Sequence, residues 1–457
     1  MCARVTQMGH ISELRGLPSC GSFQSQNLDR SGIWGMSDKG GKGVLKVTSP
    51  HAIRPGIFGC SIAAVADSSN RYIVGAEGES VGNLLQAGRA YFVADGDAIH
   101  QFTSFRPQDG GSFGRSVAGS ALQTGLTVVG ASLEGVGPQP GNPVASYKFL
   151  AAGHAYVFDG IGTQLSTLTS PQPAAGAWFG TAVAIGNVGT HSKPEFWVAV
   201  GEPRGSLTPL APGGWQWGPG TVHVFNLSNP TNPVLAYSLQ CPGGQDFSGG
   251  SDNAGMFGWS IAVDGNLLVV GAPDVYLPGA LCPAGAVYVY DLKTGQAPAG
   301  WGGQLPNPNP YQYYDTFGYG FGACVAACMP LIAVGDALAT VNNMYEAGRV
   351  FIINANNGAV VQVLTSPTIG PKSYFGCSVS MIGTPSNTVC AVAEDGKVHT
   401  FNPHSGTLLT TFAAPNTPFG GPTTTTCAAG PKSGQVGVGA SFETANGHLF
   451  AGQGYFY

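Results

Sequence analysis

The chain has 457 residues, of which 9% are charged, with 71 glycines, ten cysteines and a formal net charge of -5. Ordinary domains carry roughly a quarter charged residues, so this surface must be built largely from Ser, Thr, Asn, Gln and Gly. Nineteen Lys plus Arg form no basic stripe, which argues against nucleic acid as a partner, and no apolar run approaches the roughly 18 residues of a membrane-spanning helix.

Residues 1–43 hold no repeat and read as an N-terminal arm. The opening Met1-Cys2-Ala3-Arg4-Val5 lacks the apolar stretch of a secretory signal. The neutral surface nonetheless suits an extracellular or particle-surface setting, such as a virion component. A lone extended segment follows, Val44-Leu45-Lys46-Val47-Thr48-Ser49-Pro50. From there a pattern recurs seven times. A Phe-Gly pair opens a short apolar run, a second run ends in Val-Gly-Ala or a variant, and a glycine starts a third.

The Phe-Gly pairs stand at Phe58, Phe113, Phe179, Phe257, Phe321, Phe375 and Phe419, spaced 55, 66, 78, 64, 54 and 44 residues apart. Runs of five to seven residues rich in Val, Ile, Ala, Tyr and Phe between turn residues are strands, and none is long enough for a helix. The fourth copy is the cleanest: Phe257–Val263, a turn at Asp264-Gly265-Asn266, Leu267–Pro273, then Gly285–Asp291. A further extended stretch follows each third run, as in Leu168-Thr169-Ser170-Pro171 and Leu364-Thr365-Ser366-Pro367. Four strands in a variable period describe a propeller blade with insertions in its loops. The last copy stops at Ala451–Tyr457 and lacks a fourth strand, whereas Val44–Pro50 is a fourth strand without a copy. The N-terminal strand is therefore expected to complete the last blade. The fold class is all-β, a seven-bladed propeller over residues 44–457.

These motifs resemble the FG-GAP repeats of the integrin alpha-subunit propeller, and more closely the calcium-free repeats of microbial proteins. In the integrin type, the loop between first and second strands carries closely spaced Asp and Asn that bind calcium. Here those loops read Asp67-Ser68-Ser69-Asn70, Gly119–Gln123, Gly186-Asn187-Val188-Gly189, Asp264-Gly265-Asn266 and Cys328-Met329-Pro330, with at most one Asp each. Calcium takes six to eight oxygens, several from carboxylates. No metal and no cofactor is expected.

The ten cysteines have no metal-like spacing and read as buried small hydrophobes, with Cys241 and Cys282, or Cys2 and Cys20, as the pairs placed to bridge. Catalytic signatures such as Gly-x-Ser-x-Gly and His-Glu-x-x-His are absent, and the expectation is no enzyme. His154, His223 and His399 fall in third strands and read as partly exposed. Glu77, Glu202, Asp336 and Glu394 stand at second-strand ends. Rotation about the axis would place these four carboxylates in a partial ring able to hold a cation or a cationic side chain.

The insertions are the sharper clue. They fall at 132–152, 202–219, 273–284 and 336–347 after second strands, and at 242–256 and 301–320 before Phe-Gly pairs. Second-to-third and fourth-to-first loops emerge on one face of an up-and-down disc. That face gathers Trp215, Trp217, Tyr276, Trp301, Tyr311, Tyr313, Tyr314 and Tyr319. Tyr and Trp with few charges suit a contact surface. The reading is an interaction or assembly module that meets a protein partner, including a second copy of itself, through this face; the alternative is adhesion to a receptor or glycan.

Overall fold

The computed structural model describes residues 44–65, 71–94, 97–120, 125–137, 149–160, 162–190, 192–207, 218–242, 255–276, 283–309, 320–413, 425–429 and 435–457. The chain divides into Met1–Ile33 and Trp34–Tyr457, and every described residue lies in the second unit. Among the described residues there are 28 strands and no helix, arranged as seven four-stranded antiparallel sheets. Blade 4 shows the order: Ser260–Asp264, Leu267–Ala272, Ala286–Asp291 and Gln304–Pro306, each paired with the next. First strands of successive blades touch all the way round, and that of blade 7 returns to that of blade 1. They line the centre, so the fourth strands form the rim. This closed disc is a seven-bladed β-propeller.

Closure uses the N-terminal strand, as the orphan segment implies. Blade 7 comprises Thr425–Ala429, Val436–Ala440 and Gln453–Phe456, and Leu45–Thr48 adds its outer strand. The pairing is antiparallel, with Leu45 opposite Phe456 and Thr48 opposite Gln453. One blade is thus built from both ends of the propeller segment, which removes an open seam.

The Phe-Gly motif works at the blade junctions. Phe58, Phe113, Phe179, Phe257, Phe321 and Phe375 are all fully buried; Phe419 lies outside the described residues. Phe257 sits in a cluster joining Val222 and Val224 of blade 3 to Leu268, Val270 and Tyr288 of blade 4. Its carbonyl lies against Gly220, the glycine opening the third strand of blade 3, where an added Cβ would stand 2.3 Å from that oxygen. The same contact recurs at Gly88, Gly153, Gly285, Gly348 and Gly452. Only glycine lets two backbones approach so closely, which explains why each third strand begins with one. Next along the first strand, the hydroxyls of Ser61, Ser116 and Ser260 donate to the carbonyls of Gly114, Gly180 and Gly322 in the following blade at 2.8–2.9 Å.

Cysteines share this packing. The seven described cysteines are free thiols. Cys241, a candidate for bridging to Cys282, is a free thiol buried at the junction, as the reading of the cysteines as buried small hydrophobes expects, and it donates to the Tyr288 hydroxyl at 3.8 Å. Cys282, Cys2 and Cys20 lie outside the described residues. Burial pushes the Cys60 and Cys427 thiols up to about 12, the behaviour of inert core thiols.

Candidate interaction face

The loops between second and third strands carry a recurring tip. Three residues before the glycine that opens the third strand, an apolar side chain projects into solvent: Leu85 is 67% exposed, Leu150 55%, Tyr345 47% and Leu449 44%. These belong to blades 1, 2, 5 and 7. Each tip is pinched by a small backbone bridge, Val81 to Leu84, Val136 to Phe149, Val341 to Met344 and Ala445 to His448. The residue after the tip adopts a left-handed conformation, at Gln86, Ala151, Glu346 and Phe450, with φ between 49° and 57°.

The tip backbone is also tied to the next blade. Carbonyls of Leu85, Leu150 and Tyr345 accept from the amides of Gly110, Gly176 and Lys372 at 2.8–3.0 Å. The following residues bond the segment leading into the next Phe-Gly, as in Phe113 N–H to Ala87 O at 3.0 Å. Backbone held on both sides with an apolar side chain left outside is a pre-organised contact point. Phe105, on the fourth-to-first loop after blade 1, is 74% exposed. The Lys372 ammonium lies 5.7 Å from the Tyr345 ring centroid, which places a cation beside one tip.

Of the aromatic residues expected on this face, Tyr276 lies there and is partly exposed. Trp215, Trp217, Tyr311, Tyr313, Tyr314 and Tyr319 lie outside the described residues. Trp217 stands three residues before Gly220, the tip position of blade 3. Trp301 requires a correction. It precedes Gln304–Pro306, the fourth strand of blade 4, so it belongs to a third-to-fourth connection on the opposite side. There it packs partly buried against the blade 4–5 core and close to Gly358.

The four carboxylates also require correction. Register places Ala76, not Glu77, at the position of Glu202, Asp336 and Glu394: Ala76 faces Arg89, Glu202 faces Thr221, Asp336 faces Arg349 and Glu394 faces Lys397. Glu77 is one residue further on and pairs with Arg115 at 3.2 Å. The other three are buried, each with its own partner at its own junction. Glu202 meets His223 at 2.8 Å, Asp336 meets Arg349 at 3.0 Å and Glu394 meets His399 at 3.0 Å. Burial of a carboxylate demands such local compensation, so these groups are consumed by their own blades rather than shared in a ring.

Four further buried acids among the described residues escaped the sequence reading: Asp274, and Glu79, Glu134 and Glu443 in the turn three residues past the same strand end. The three glutamates accept from the hydroxyls of Tyr91, Tyr156 and Tyr455. Pairing shows a single rule, because Tyr91, Tyr156, His223, Tyr288, Phe351, His399 and Tyr455 occupy one equivalent site in the third strand. Tyrosine there reaches a turn carboxylate in blades 1, 2 and 7. The shorter histidine reaches a strand-end carboxylate in blades 3 and 6. Phenylalanine offers nothing, and in blade 5 Arg349 two residues earlier takes over. A serine from the preceding outer strand joins in: Ser49 donates to Tyr91 at 3.2 Å, Ser104 to Tyr156 at 3.0 Å and Ser170 to Glu202 at 3.0 Å. The serine of this ending, Thr-Ser-Pro at Ser49 and Ser170 and Thr-Ser-Phe at Ser104, is therefore a polar latch between blades. His154, His223 and His399 are buried against carboxylates, not partly exposed strand histidines.

Two of the acids are shifted in opposite directions. Burial pushes Glu79 up to about 7, although hydrogen bonds from Ser49 and Tyr91 and the Arg89 charge oppose it. Burial also acts upward on Glu394, but the His399 imidazole, the Ser366 hydroxyl and the Lys397 charge outweigh it and hold the carboxyl below its usual value.

With this geometry in hand, the class is a closed propeller of Phe-Gly blades whose one face carries rigid apolar tips. A protein family described as FG-GAP repeat matches residues 249–290, which run through the first three strands of blade 4. Similarity to solved structures includes the crystal structure of the computationally designed Ika8 protein, at 14% identity, covering 85% of this chain and 81% of that one with a TM-score of 0.42. No curated protein matches. Among the described residues no helix is long and apolar enough to cross a membrane.

Proposed function

We propose that this protein is a docking module that binds a protein partner, with a second copy of itself included among the partners, through the loop-rich face of the propeller. One observation carries the reading: an exposed apolar side chain recurs at the same tip position in four blades, on backbone fixed by bonds to the neighbouring blade. Single exposed hydrophobes are ordinary on any surface. A position that stays apolar and solvent-facing in blade after blade supports a contact surface instead, since such side chains contribute binding energy while their rigid backbone loses little entropy.

The test is a charge scan of the tips. Leu85→Asp, Leu150→Asp and Leu449→Asp, singly and together, are compared with the unsubstituted chain by light scattering and by capture of partners from the native source. The triple variant is expected to keep the parent melting temperature and to lose association. Retained assembly or capture in a folded triple variant overturns the reading.

A further inference from the structure

The junction of blade 3 contains something the others lack. His223 is buried in the third strand, Thr221–Asn226, between Glu202 at the end of the second strand and Ser238 on the outer strand, Val234–Gln240. Its Nε2 lies 2.8 Å from Glu202 Oε2, and its Nδ1 lies 2.7 Å from Ser238 Oγ. Glu202 Oε2 also accepts from Ser170 at 3.0 Å and Thr221 at 2.9 Å, so three donors converge on a buried carboxylate. With the ring hydrogen on Nε2, facing Glu202 Oε2 and the Thr221 hydroxyl 3.1 Å away, Nδ1 is left as an acceptor for the Ser238 hydroxyl. Glu202, His223 and Ser238 thus stand in the order of orienting carboxylate, base and nucleophile, each within hydrogen-bond reach of the next.

Blade 6 offers an internal comparison. Thr411 Oγ1 lies 2.9 Å from His399 Nδ1, and His399 Nε2 lies 3.0 Å from Glu394 Oε1. That second contact is off the hydrogen-bond line, and His399 Nε2 has no aligned acceptor. The latch alone therefore does not require a linear relay. Only blade 3 among the described residues has both bonds aligned. Ser238 is half-buried on a rim strand, and exposed Val234 and Leu235 on that strand offer apolar contact nearby.

We propose that Ser238 is an activated nucleophile that takes acyl groups from small esters at the rim of blade 3, an activity beyond docking through the loop face. As Ser238 Oγ attacks the ester carbonyl carbon, its proton passes to His223 Nδ1 and Glu202 stabilises the imidazolium. Collapse of the tetrahedral adduct breaks the bond to the alcohol, whose oxygen takes the proton back from Nδ1. Acyl-Ser238 and free alcohol remain, and a water molecule repeating the sequence releases the acid.

The full chain is treated with a fluorophosphonate, which loses fluoride on capture by an activated hydroxyl, and with p-nitrophenyl acetate. The expected result is one adduct per chain, located at Ser238 by peptide mass spectrometry, and a stoichiometric burst of p-nitrophenol. Ser238→Ala should abolish both while melting like the parent, and Thr411→Ala should leave both intact. His223→Gln should slow capture at least about a hundredfold, the usual contribution of a general base. If that variant does not fold, labelling of the parent chain in denaturing urea replaces it, and capture should vanish there. No adduct at Ser238 under conditions that label an ordinary serine hydrolase overturns the proposal. So does capture that persists in urea or in folded His223→Gln, because the relay would then not be its source.

Discussion

Truncating one Phe-Gly phenylalanine tests the structural role of the repeat directly. Phe257 is 0% exposed, with its ring 5.4 Å from Tyr288 and 6.4 Å from Tyr290, in a cluster drawn from blades 3 and 4. Returning such a side chain to water costs about 1.5–3 kcal/mol in transfer free energy. The cavity adds to this, because Gly220 fixes the backbone beneath Phe257 and the neighbouring blades cannot close in. Phe257→Ala is therefore expected to cost about 3–5 kcal/mol, the range of large core truncations. Phe105 supplies a control of identical chemistry on an exposed loop, and Phe105→Ala should fall within about 0.5 kcal/mol of the parent. Urea denaturation followed by tryptophan fluorescence measures both. A loss below about 1 kcal/mol at Phe257, or equal losses at the two sites, would refute the assignment of the Phe-Gly ring to the blade junction.

Glu79 and Glu394 should respond to pH in opposite senses. Glu79 is raised in the folded state, so it contributes stability at low pH that fades as pH climbs from about 4 towards about 7; the deficit of Glu79→Gln should shrink over that interval. Glu394 is depressed, so its contribution is present at neutral pH and fades on acidification through its folded-state pKa; the deficit of Glu394→Gln should shrink as pH falls. Thermal melts from about pH 3 to pH 8 distinguish the two, and parallel trends would show that the junction charges are misassigned. Deleting residues 1–40 should leave a folded propeller, whereas deleting 1–50 removes Leu45–Thr48 and exposes the edge of Gln453–Phe456; size-exclusion chromatography and melting that fail to separate the two truncations would contradict ring closure. Chelator should leave the melting temperature unchanged, since Asp264 in the blade 4 loop already accepts from the Met329 amide at 2.7 Å; a fall on chelation would reveal a stabilising metal.

The fold was legible because its rules are local and repeated. Phe-Gly, the terminal Val-Gly-Ala and the glycine opening each third strand are backbone requirements, and they read as glycine in copy after copy, with Ala393 of blade 6 the exception in the second strand. Closure was legible for the same reason, since Val44–Pro50 carries the Thr-Ser-Pro ending of Leu168–Pro171 without a copy of its own. Trp301 was misplaced because Gln304–Pro306 is only three residues long and contains a proline, so the fourth strand of blade 4 vanished into the surrounding loop.

The site was less legible because its chemistry is divided among positions that trade roles. A carboxylate three residues past the strand end in blade 1 and at the strand end in blade 3 performs the same task, because the side chain it meets changes from Tyr91 to His223. Reading carboxylates alone joined Glu77 to Glu202 across a one-residue slip and missed Glu79. Reading the third strand first would have separated them: the site two residues into that strand alternates among Tyr, His and Phe, and the reach of each fixes where its acid must stand. The same exchange sets blade 3 apart. Tyrosine meets its carboxylate with a hydroxyl, the one polar atom of its ring, which in blades 1 and 2 also accepts from the serine of the preceding outer strand. Histidine at that site has a second nitrogen, and in blade 3 it lies 2.7 Å from the Ser238 hydroxyl on the rim.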